Sequence, residues 1–207
     1  MQASPWLSIP LADYEGHMSA EGVGQLAALS DLFGCVMRRY RPESVTVLGI
    51  AGGNGLEHID SAITQRVSGV DCNERYLEAT RQRFGGLAGL ELHRADLAAD
   101  PLRLAPAALV HAALIFEHTG LGLALENALA LVAPEGGLSV VLQLPSREQP
   151  GVTPTPFASM QALDFTLVEP EELSGLLAAR GFDVVAQERR ELPGGKAFQL
   201  LVLSRVA

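Results

Sequence analysis

Three features in the first half of the sequence are suited to binding a nucleoside. Residues 45–55 read VTVLGIAGGNG, where a β-branched run breaks into a loop with several glycines. Glycine lets the backbone turn sharply and approach a ligand closely, because it has no Cβ. Asp71 and Asp96 each follow a later apolar run, and a carboxylate can accept hydrogen bonds from ribose hydroxyls or from the adenine amine. Their spacing favours one shared nucleoside, although either aspartate alone could instead cap a turn or helix.

The glycine loop lacks two signatures of phosphate binding. A dinucleotide fingerprint, G-x-G-x-x-G, would require glycine at position 58, where the chain has His58. No Lys-Ser or Lys-Thr pair follows the glycines, which excludes a P-loop. The predicted ligand is therefore an adenosine without phosphates.

Composition narrows the expected partners. The formal net charge of the 207 residues is −9, and Lys196 is the only lysine. Because basic side chains dominate nucleic-acid affinity, a small molecule is expected and no nucleic acid. No apolar run is long enough for a membrane span, and the N-terminus lacks a secretory pattern. Cys35 and Cys72 have neither disulfide-framework nor zinc-site spacing, so no metal and a reducing, cytoplasmic compartment are expected.

The elements that must position these residues alternate between strand and helix. This pattern predicts an α/β fold, with a doubly wound, mostly parallel seven-stranded sheet, a C-terminal antiparallel hairpin and helices on both faces. One domain is expected over residues 1–207. The predicted strands are 45–50, 66–71, 90–93, 108–113, 138–144, 182–187 and 198–204, and the helices between them are 56–63, 74–84, 121–131 and 170–180.

Two segments outside this alternation are expected to cover the site. Residues 1–42 are predicted to form an N-terminal cap: an irregular stretch over 1–18, then a helix capped by Ser19 and stopped by Pro42. Residues 145–168 contain four prolines and no clear element, which is typical of a lid or binding loop. We interpret them as a substrate loop, with a plain surface excursion as the alternative.

Five segments follow in a specific order: VLGIAGGNG, GVDCNERYLEATRQRF, HRADLAADPL, LVHAALIFEHTG and LVAPEGGLSVVLQ. In that order they resemble the Rossmann-like, class I S-adenosylmethionine-dependent methyltransferases. The first segment is similar to the family's VLDxGxGxG motif, with Gly53 and Gly55 matching and Ala51 replacing the first glycine. The resemblance covers about residues 45–145 and implies S-adenosylmethionine as cofactor.

The resemblance also assigns cofactor contacts to individual residues. It implies that Asp71 binds the ribose, that Asp96 and Leu97 bind the adenine, and that Tyr14 closes over the methionine carboxylate. The full predicted set is Tyr14, Gly49, Ala51, Gly52, Gly53, Asn54, Gly55, Asp71, Cys72, Asp96, Leu97 and Ala113.

One position departs from the family pattern. The family usually carries an acid at the end of the first strand, near the methionyl amino group, and this chain has Gly49 there. Either Glu57 or an acid of the N-terminal segment takes over that role, or cofactor affinity is reduced.

Two histidines are candidates for catalysis. His17 belongs to the N-terminal segment and His118 follows the fourth strand, and an imidazole titrates near neutral pH. The alternative for both is a packing or loop role, and the other histidines are interpreted as structural. The acceptor pocket is expected to form from the N-terminal segment, residues 113–118 and the loop 145–168, including Phe157 and Met160.

Three functions are compatible with these patterns. The favoured one is methyl transfer from S-adenosylmethionine to a small-molecule acceptor, which needs alignment and water exclusion more than a catalytic signature. The second is a non-catalytic protein that binds the cofactor, which the glycine at position 49 favours. The third is aminopropyl transfer from a decarboxylated cofactor, which would use Asp164, Glu169, Glu171 and Glu172 to hold a polyamine.

Overall fold

The structure is a computed structural model that describes residues 4–146 and 151–206. Seven strands form one sheet in the order β3-β2-β1-β4-β5-β7-β6. Neighbours from β3 to β5 pair in parallel, whereas β7 is antiparallel to both β5 and β6. The predicted sheet and its closing hairpin are therefore confirmed. The strands are β1 Ser44–Leu48, β2 Arg66–Asp71, β3 Leu90–Arg94, β4 Ala107–Ala113, β5 Val132–Gln143, β6 Phe182–Glu191 and β7 Ala197–Arg205.

Helices cover both faces of this sheet, as predicted. They are α1 Leu11–Ser19, α2 Gln25–Tyr40, α3 Glu74–Phe84, α4 Phe116–Thr119, α5 Leu123–Ala130 and α6 Pro170–Ala178.

Side chains alternate along each buried strand, so the sheet separates two cores. On one face, Val47 of β1 and Val141 of β5 pack in a cluster that includes α2 and α3. On the other face, Leu48 and Val140 join a cluster that includes α5 and α6. Burial on both faces explains why these strands are nearly continuous apolar runs.

Two helix predictions are wrong. Residues 1–18 were expected to be irregular, but Leu11–Ser19 is helical and Ser19 ends this helix instead of capping the next one. Pro10 is the N-cap of α1, a place where the ring's missing N–H costs no helical hydrogen bond. A helix was also expected over 56–63, where only a 3₁₀ turn, Leu56–His58, forms. Asp60 ends that segment, since its Oδ1 accepts a hydrogen bond from Ala62 N at 2.9 Å and stabilises a turn.

The strand order reverses beside β1, which lies between β2 and β4. In open α/β sheets, ligands bind outside the carboxyl ends of the strands at this reversal. Both predicted aspartates lie there: Asp71 ends β2, and Asp96 follows β3. Within the described residues, no helix combines the length and apolar character needed to cross a membrane.

Candidate active site

A cavity of about 540 Å³ opens at the carboxyl edge of the sheet. Pockets of this size hold small molecules and cofactors. At one side, which we call the carboxylate end, it is lined by Asp71, Cys72, Asp96 and Leu97. At the other side, which we call the lysine end, it is lined by His17, Gln25, Gln143 and Lys196.

Asp71 is the best-anchored residue of the carboxylate end. Its Oδ2 accepts a hydrogen bond from Ala51 N and its Oδ1 accepts one from Asn73 N, each at 2.9 Å. A carboxylate has about four lone-pair sites, so Asp71 can accept a further donor. The side chain is 8 % exposed, and burial raises the pKa of its carboxyl to about 6 despite these hydrogen bonds. Asn73, not Asp71, is the N-cap of α3.

Asp96 and Leu97 follow β3 beside Asp71. One oxygen of Asp96 accepts a hydrogen bond from Ala98 N at 3.0 Å, which fixes the turn, and Leu97 is buried. Cys72 lines the same end, and burial followed by the Asp71 charge raises the pKa of its thiol to about 11. This end therefore offers acceptor oxygens beside an apolar wall.

Aromatic rings from the N-terminal segment and from α3 lie beside one another at the cavity. Tyr14 stacks on Tyr76 with ring centroids 6.3 Å apart and meets the edge of Trp6 at 5.7 Å. Tyr76 donates a hydrogen bond to Ile9 O at 3.1 Å, which ties the N-terminal segment to α3. Burial, then the charges of Asp71 and Glu15, raises the pKa of the Tyr14 phenol, so Tyr14 lines the cavity as a neutral group.

Gly49 lines the cavity where the family usually has an acid. Its φ is +69°, and a Cβ built there would lie 2.1 Å from Ile115 Cδ1. Ile115 also lines the cavity and occupies the space that a side chain at position 49 would need. An acid at this position would therefore be strained by the backbone conformation, and Ile115 would have to move to make room for it.

The acids proposed to replace it lie elsewhere. Glu57 accepts hydrogen bonds from Gly55 N and Ser30 Oγ and lines a separate cleft beside α2. In the N-terminal segment, Glu15 pairs with Arg83, and Asp13 accepts a hydrogen bond from Ser159 Oγ at 2.7 Å. None of the three lines the cavity.

Most predicted cofactor residues reach the cavity, and four do not. Tyr14, Gly49, Ala51, Asp71, Cys72, Asp96, Leu97 and Ala113 line it. Gly52, Gly53 and Gly55 instead pack against Arg83, Phe84 and Phe33, where a Cβ would lie 3.0 Å or less from each side chain. Asn54 faces the separate cleft, and its Nδ2 donates a hydrogen bond to Leu26 O.

Both candidate histidines line the cavity. His17 Nδ1 lies 2.9 Å from Thr155 Oγ1, and burial followed by the Lys196 charge lowers its pKa. His118 Nδ1 donates a hydrogen bond to Asp164 O at 3.2 Å, which leaves Nε2 with its lone pair. Burial lowers the pKa of His118 to about 4, and its ring lies between Trp6 and Phe165.

The predicted substrate loop, residues 145–168, forms part of the cavity wall. Gly151, Val152, Met160, Leu163, Asp164 and Phe165 line the cavity. Phe157 does not; its ring packs against Gly16 of α1, where a Cβ would lie 2.3 Å from it. Residues 147–150 of this loop lie outside the described residues.

Sequence reasoning missed several residues of the lysine end. Gln25 Nε2 donates a hydrogen bond to Gln143 Oε1 at 2.8 Å, and Gln143 Nε2 donates one to Gly151 O at 2.9 Å. Lys196 Nζ donates to the same carbonyl at 2.7 Å. Nothing in their local sequence marks Gln25 or Gln143, whereas Lys196 stood out only as the single lysine. Within the parts of the chain that the structure describes, no three His, Cys, Asp or Glu side chains are grouped to hold a metal ion.

Solved structures with the same architecture were found. Magnesium protoporphyrin IX methyltransferase from Synechocystis PCC 6803, with bound S-adenosylhomocysteine, aligns with a TM-score of 0.67 at 11% identity, over 88% of this chain and 84% of that chain. The N-methyltransferase NodS from Bradyrhizobium japonicum WM9, also with S-adenosylhomocysteine, aligns with a TM-score of 0.62 at 15% identity, over 99% and 93%. The [4+2]-cyclase SpnF aligns with a TM-score of 0.66 at 13% identity, over 91% and 84%.

The chain has the class I methyltransferase fold. The predicted family resemblance is thereby confirmed at the level of the fold. No protein-family model and no curated protein matches the sequence. One of these neighbours with the same fold is a cyclase, so the fold alone does not identify the reaction. The reaction has to be inferred from the site.

Proposed function

We propose that this chain transfers a methyl group from S-adenosylmethionine to a small-molecule acceptor. The observation that carries the proposal is one continuous cavity that has Asp71 and Asp96 at one end and Lys196 at the other. A nucleoside fits the first part, and the second part leaves space for another molecule. When bound, S-adenosylmethionine supplies an electrophilic methyl group on a sulfonium.

The carboxylate end would hold the adenosine. The Asp71 carboxylate keeps acceptor capacity beyond its backbone hydrogen bonds, which suits the hydroxyls of a ribose. Asp96 has one oxygen bonded to the Ala98 turn and a second available for the adenine amine. Leu97 and Ala95 supply the apolar surface for the ring. Gly49 and Ala113 line the path from this end toward the acceptor, where the methionyl part would lie.

The protein's contribution to the reaction would be alignment and exclusion of water. Trp6, Tyr14 and the loop residues Met160 and Leu163 enclose the space between the two ends. His118 presents an unprotonated Nε2 and would accept a proton only from an acidic nucleophile, because its pKa is lowered to about 4. His17 is likewise kept neutral by burial and by Lys196.

The second candidate function is non-catalytic binding of S-adenosylmethionine, and Gly49 is the observation that favours it. The cavity lacks the acid that the family places at this position, and Ile115 fills the space. Aminopropyl transfer has less support, because only Asp164 of its four proposed acids lines the cavity. The Lys196 ammonium would also repel a polyamine.

Calorimetric titration with S-adenosylmethionine and S-adenosylhomocysteine tests the proposal. We expect micromolar binding by the wild type and a 10- to 100-fold loss, roughly the effect of removing one charged hydrogen bond, in Asp71→Asn. Asp183→Asn, an exposed aspartate on β6, is the matched control and should bind as the wild type does. A folded wild type that binds neither compound would refute the proposal. Binding without methyl transfer to any acceptor in a broad screen would favour the second candidate.

A further inference from the structure

Lys196 is the buried cation of the lysine end of the cavity. It lies between the Pro193–Gly195 turn and β7, and only 4 % of the residue is exposed. It is the only lysine or arginine among the described residues that line the cavity. Between β2 and β7 lie four strand spacings, or roughly 19 Å at the usual distance between strands. Lys196 is therefore remote from the expected ribose site.

Among residues 4–146 and 151–206, no acid neutralises the charge of Lys196. Within the described residues its Nζ makes one hydrogen bond, to the carbonyl of Gly151, and an ammonium has three donors. No carboxylate of residues 4–146 and 151–206 lies within ion-pair distance of its Nζ. Burial lowers its pKa to about 8, so the ammonium still predominates at pH 7.

The titratable neighbours leave this positive charge in place. His17 is kept neutral, because burial and Lys196 itself lower its pKa. Asp164 also lines the cavity, but the residue is exposed and its carbonyl, not its carboxylate, is bonded to His118. Asp71 and Asp96 belong to the opposite end. A buried charge without a partner is costly, so an anionic ligand would be favoured here.

The Gly151 carbonyl that accepts from Lys196 is itself held by glutamine amides. Gln143 donates to the same Gly151 carbonyl and accepts from Gln25, so segments from α2, β5 and the loop meet at this point. The remaining walls of the lysine end include apolar and aromatic side chains: Val152 follows Gly151, and Phe165 packs against Gly151. The site thus combines one fixed cation with a surface for an apolar body.

We propose that Lys196 binds the carboxylate of the methyl acceptor, and that this acceptor is a small aromatic or apolar acid. This assignment rests on the proposed function and names its substrate class. It makes Lys196 a specificity-determining residue, and it leaves open which acceptor atom receives the methyl group.

Benzoate and its neutral counterpart benzamide are suitable probes, titrated into the protein saturated with S-adenosylhomocysteine. Trp6 is the only tryptophan and lines the cavity, so its fluorescence reports occupancy. In the wild type we expect benzoate to bind at least 10-fold more tightly than benzamide. Lys196→Met should bind both probes equally, and Lys196→Arg should retain part of the preference. Arg189→Met, on exposed β6, is the control for loss of one positive charge.

Three outcomes would overturn the assignment. Equal binding of the two probes by the wild type, or binding of neither, would show that the site does not select an acid. Loss of S-adenosylhomocysteine affinity in Lys196→Met would show that the lysine holds the cofactor's own carboxylate. If the wild type fails to bind S-adenosylhomocysteine, the proposed function fails, and titration of the probes into the free protein then tests Lys196 independently.

Discussion

The two ends of the cavity are built in different ways. At the carboxylate end, Asp71 bonds residues 2 and 20 positions away, and Asp96 bonds a residue 2 positions away. At the lysine end, the partners are far apart in sequence: 138 residues separate His17 from Thr155, 118 separate Gln25 from Gln143, and 45 separate Lys196 from Gly151. One end is therefore made by neighbouring strand ends, and the other by packing of remote segments.

This difference has a physical consequence for recognition. The carboxylates of one end are positioned by turns at the ends of neighbouring strands, so the carboxylate end depends mainly on adjacent βα units. The lysine end exists only when α1, α2, the loop and β7 are packed together. Changes in long-range packing should therefore affect the lysine end more than the carboxylate end. The following predictions test that contrast.

Substitution of Glu117 should have the largest effect on stability, because Glu117 is a buried acid bonded to Gln143 of the lysine end. Its Oε1 accepts a hydrogen bond from Gln143 N, its Oε2 has no partner among the described residues, and burial raises its pKa to about 7. A carboxyl whose pKa is raised in the folded state stabilises the fold at pH values below its unfolded-state pKa of 4.5. That stabilisation is lost as the pH rises through the folded-state pKa of about 7. Relative to Glu117→Gln, the wild type should lose about 3 kcal/mol of unfolding free energy between pH 5 and 8.

Urea unfolding of both proteins at several pH values measures this difference. Glu172→Gln, an exposed glutamate of α6, should follow the wild type at every pH. Parallel pH profiles for the wild type and Glu117→Gln would contradict the prediction. Selective weakening of benzoate binding in Glu117→Gln, with S-adenosylhomocysteine affinity unchanged, would sharpen the contrast between the two ends.

Gly49 lies where the two parts of the cavity meet. Gly49→Ala should reduce the unfolding free energy by about 2 kcal/mol, because φ is +69° and the new Cβ would meet Ile115. In an Ile115→Val background, which removes the colliding Cδ1, the cost should fall to about 1 kcal/mol. Chemical unfolding of the four proteins in this cycle measures the coupling. Additive effects would show that Ile115 does not occupy the space of the missing side chain.

The smallest expected effect is the loss of S-adenosylhomocysteine affinity at low pH, which tests the carboxylate end. In the proposed complex the ionised Asp71 would accept hydrogen bonds from two ribose hydroxyls at once, so protonation should compete with binding. Since its pKa is raised to about 6, S-adenosylhomocysteine affinity should fall below pH 6, by at most about 10-fold per pH unit. Calorimetry at pH 7.5, 6 and 5 measures the slope. The same slope in Asp71→Asn would assign the pH dependence to another group.

Sequence patterns predicted the sheet and the carboxylate end well. The strand ending at Asp71 and the helix starting at Glu74 were predicted at their observed bounds, since hydrophobic alternation and capping are local signals. The helix over 56–63 was wrong, because a turn at Asp60 outweighs its helical character. Helix α1 was missed, because Pro10, which would interrupt a helix from within, here lies immediately before one.

The sequence by itself determined the fold class and the residues that end β2 and follow β3, because strand periodicity and turn chemistry act over a few residues. Only the tertiary structure decided that Gly52, Gly53 and Gly55 pack against side chains, that Ile115 fills the space beside Gly49, and that Lys196 lines the cavity. Those contacts join segments far apart in the chain. No local pattern encodes them, since they depend on which faces of α1, α2 and the loop meet over the sheet.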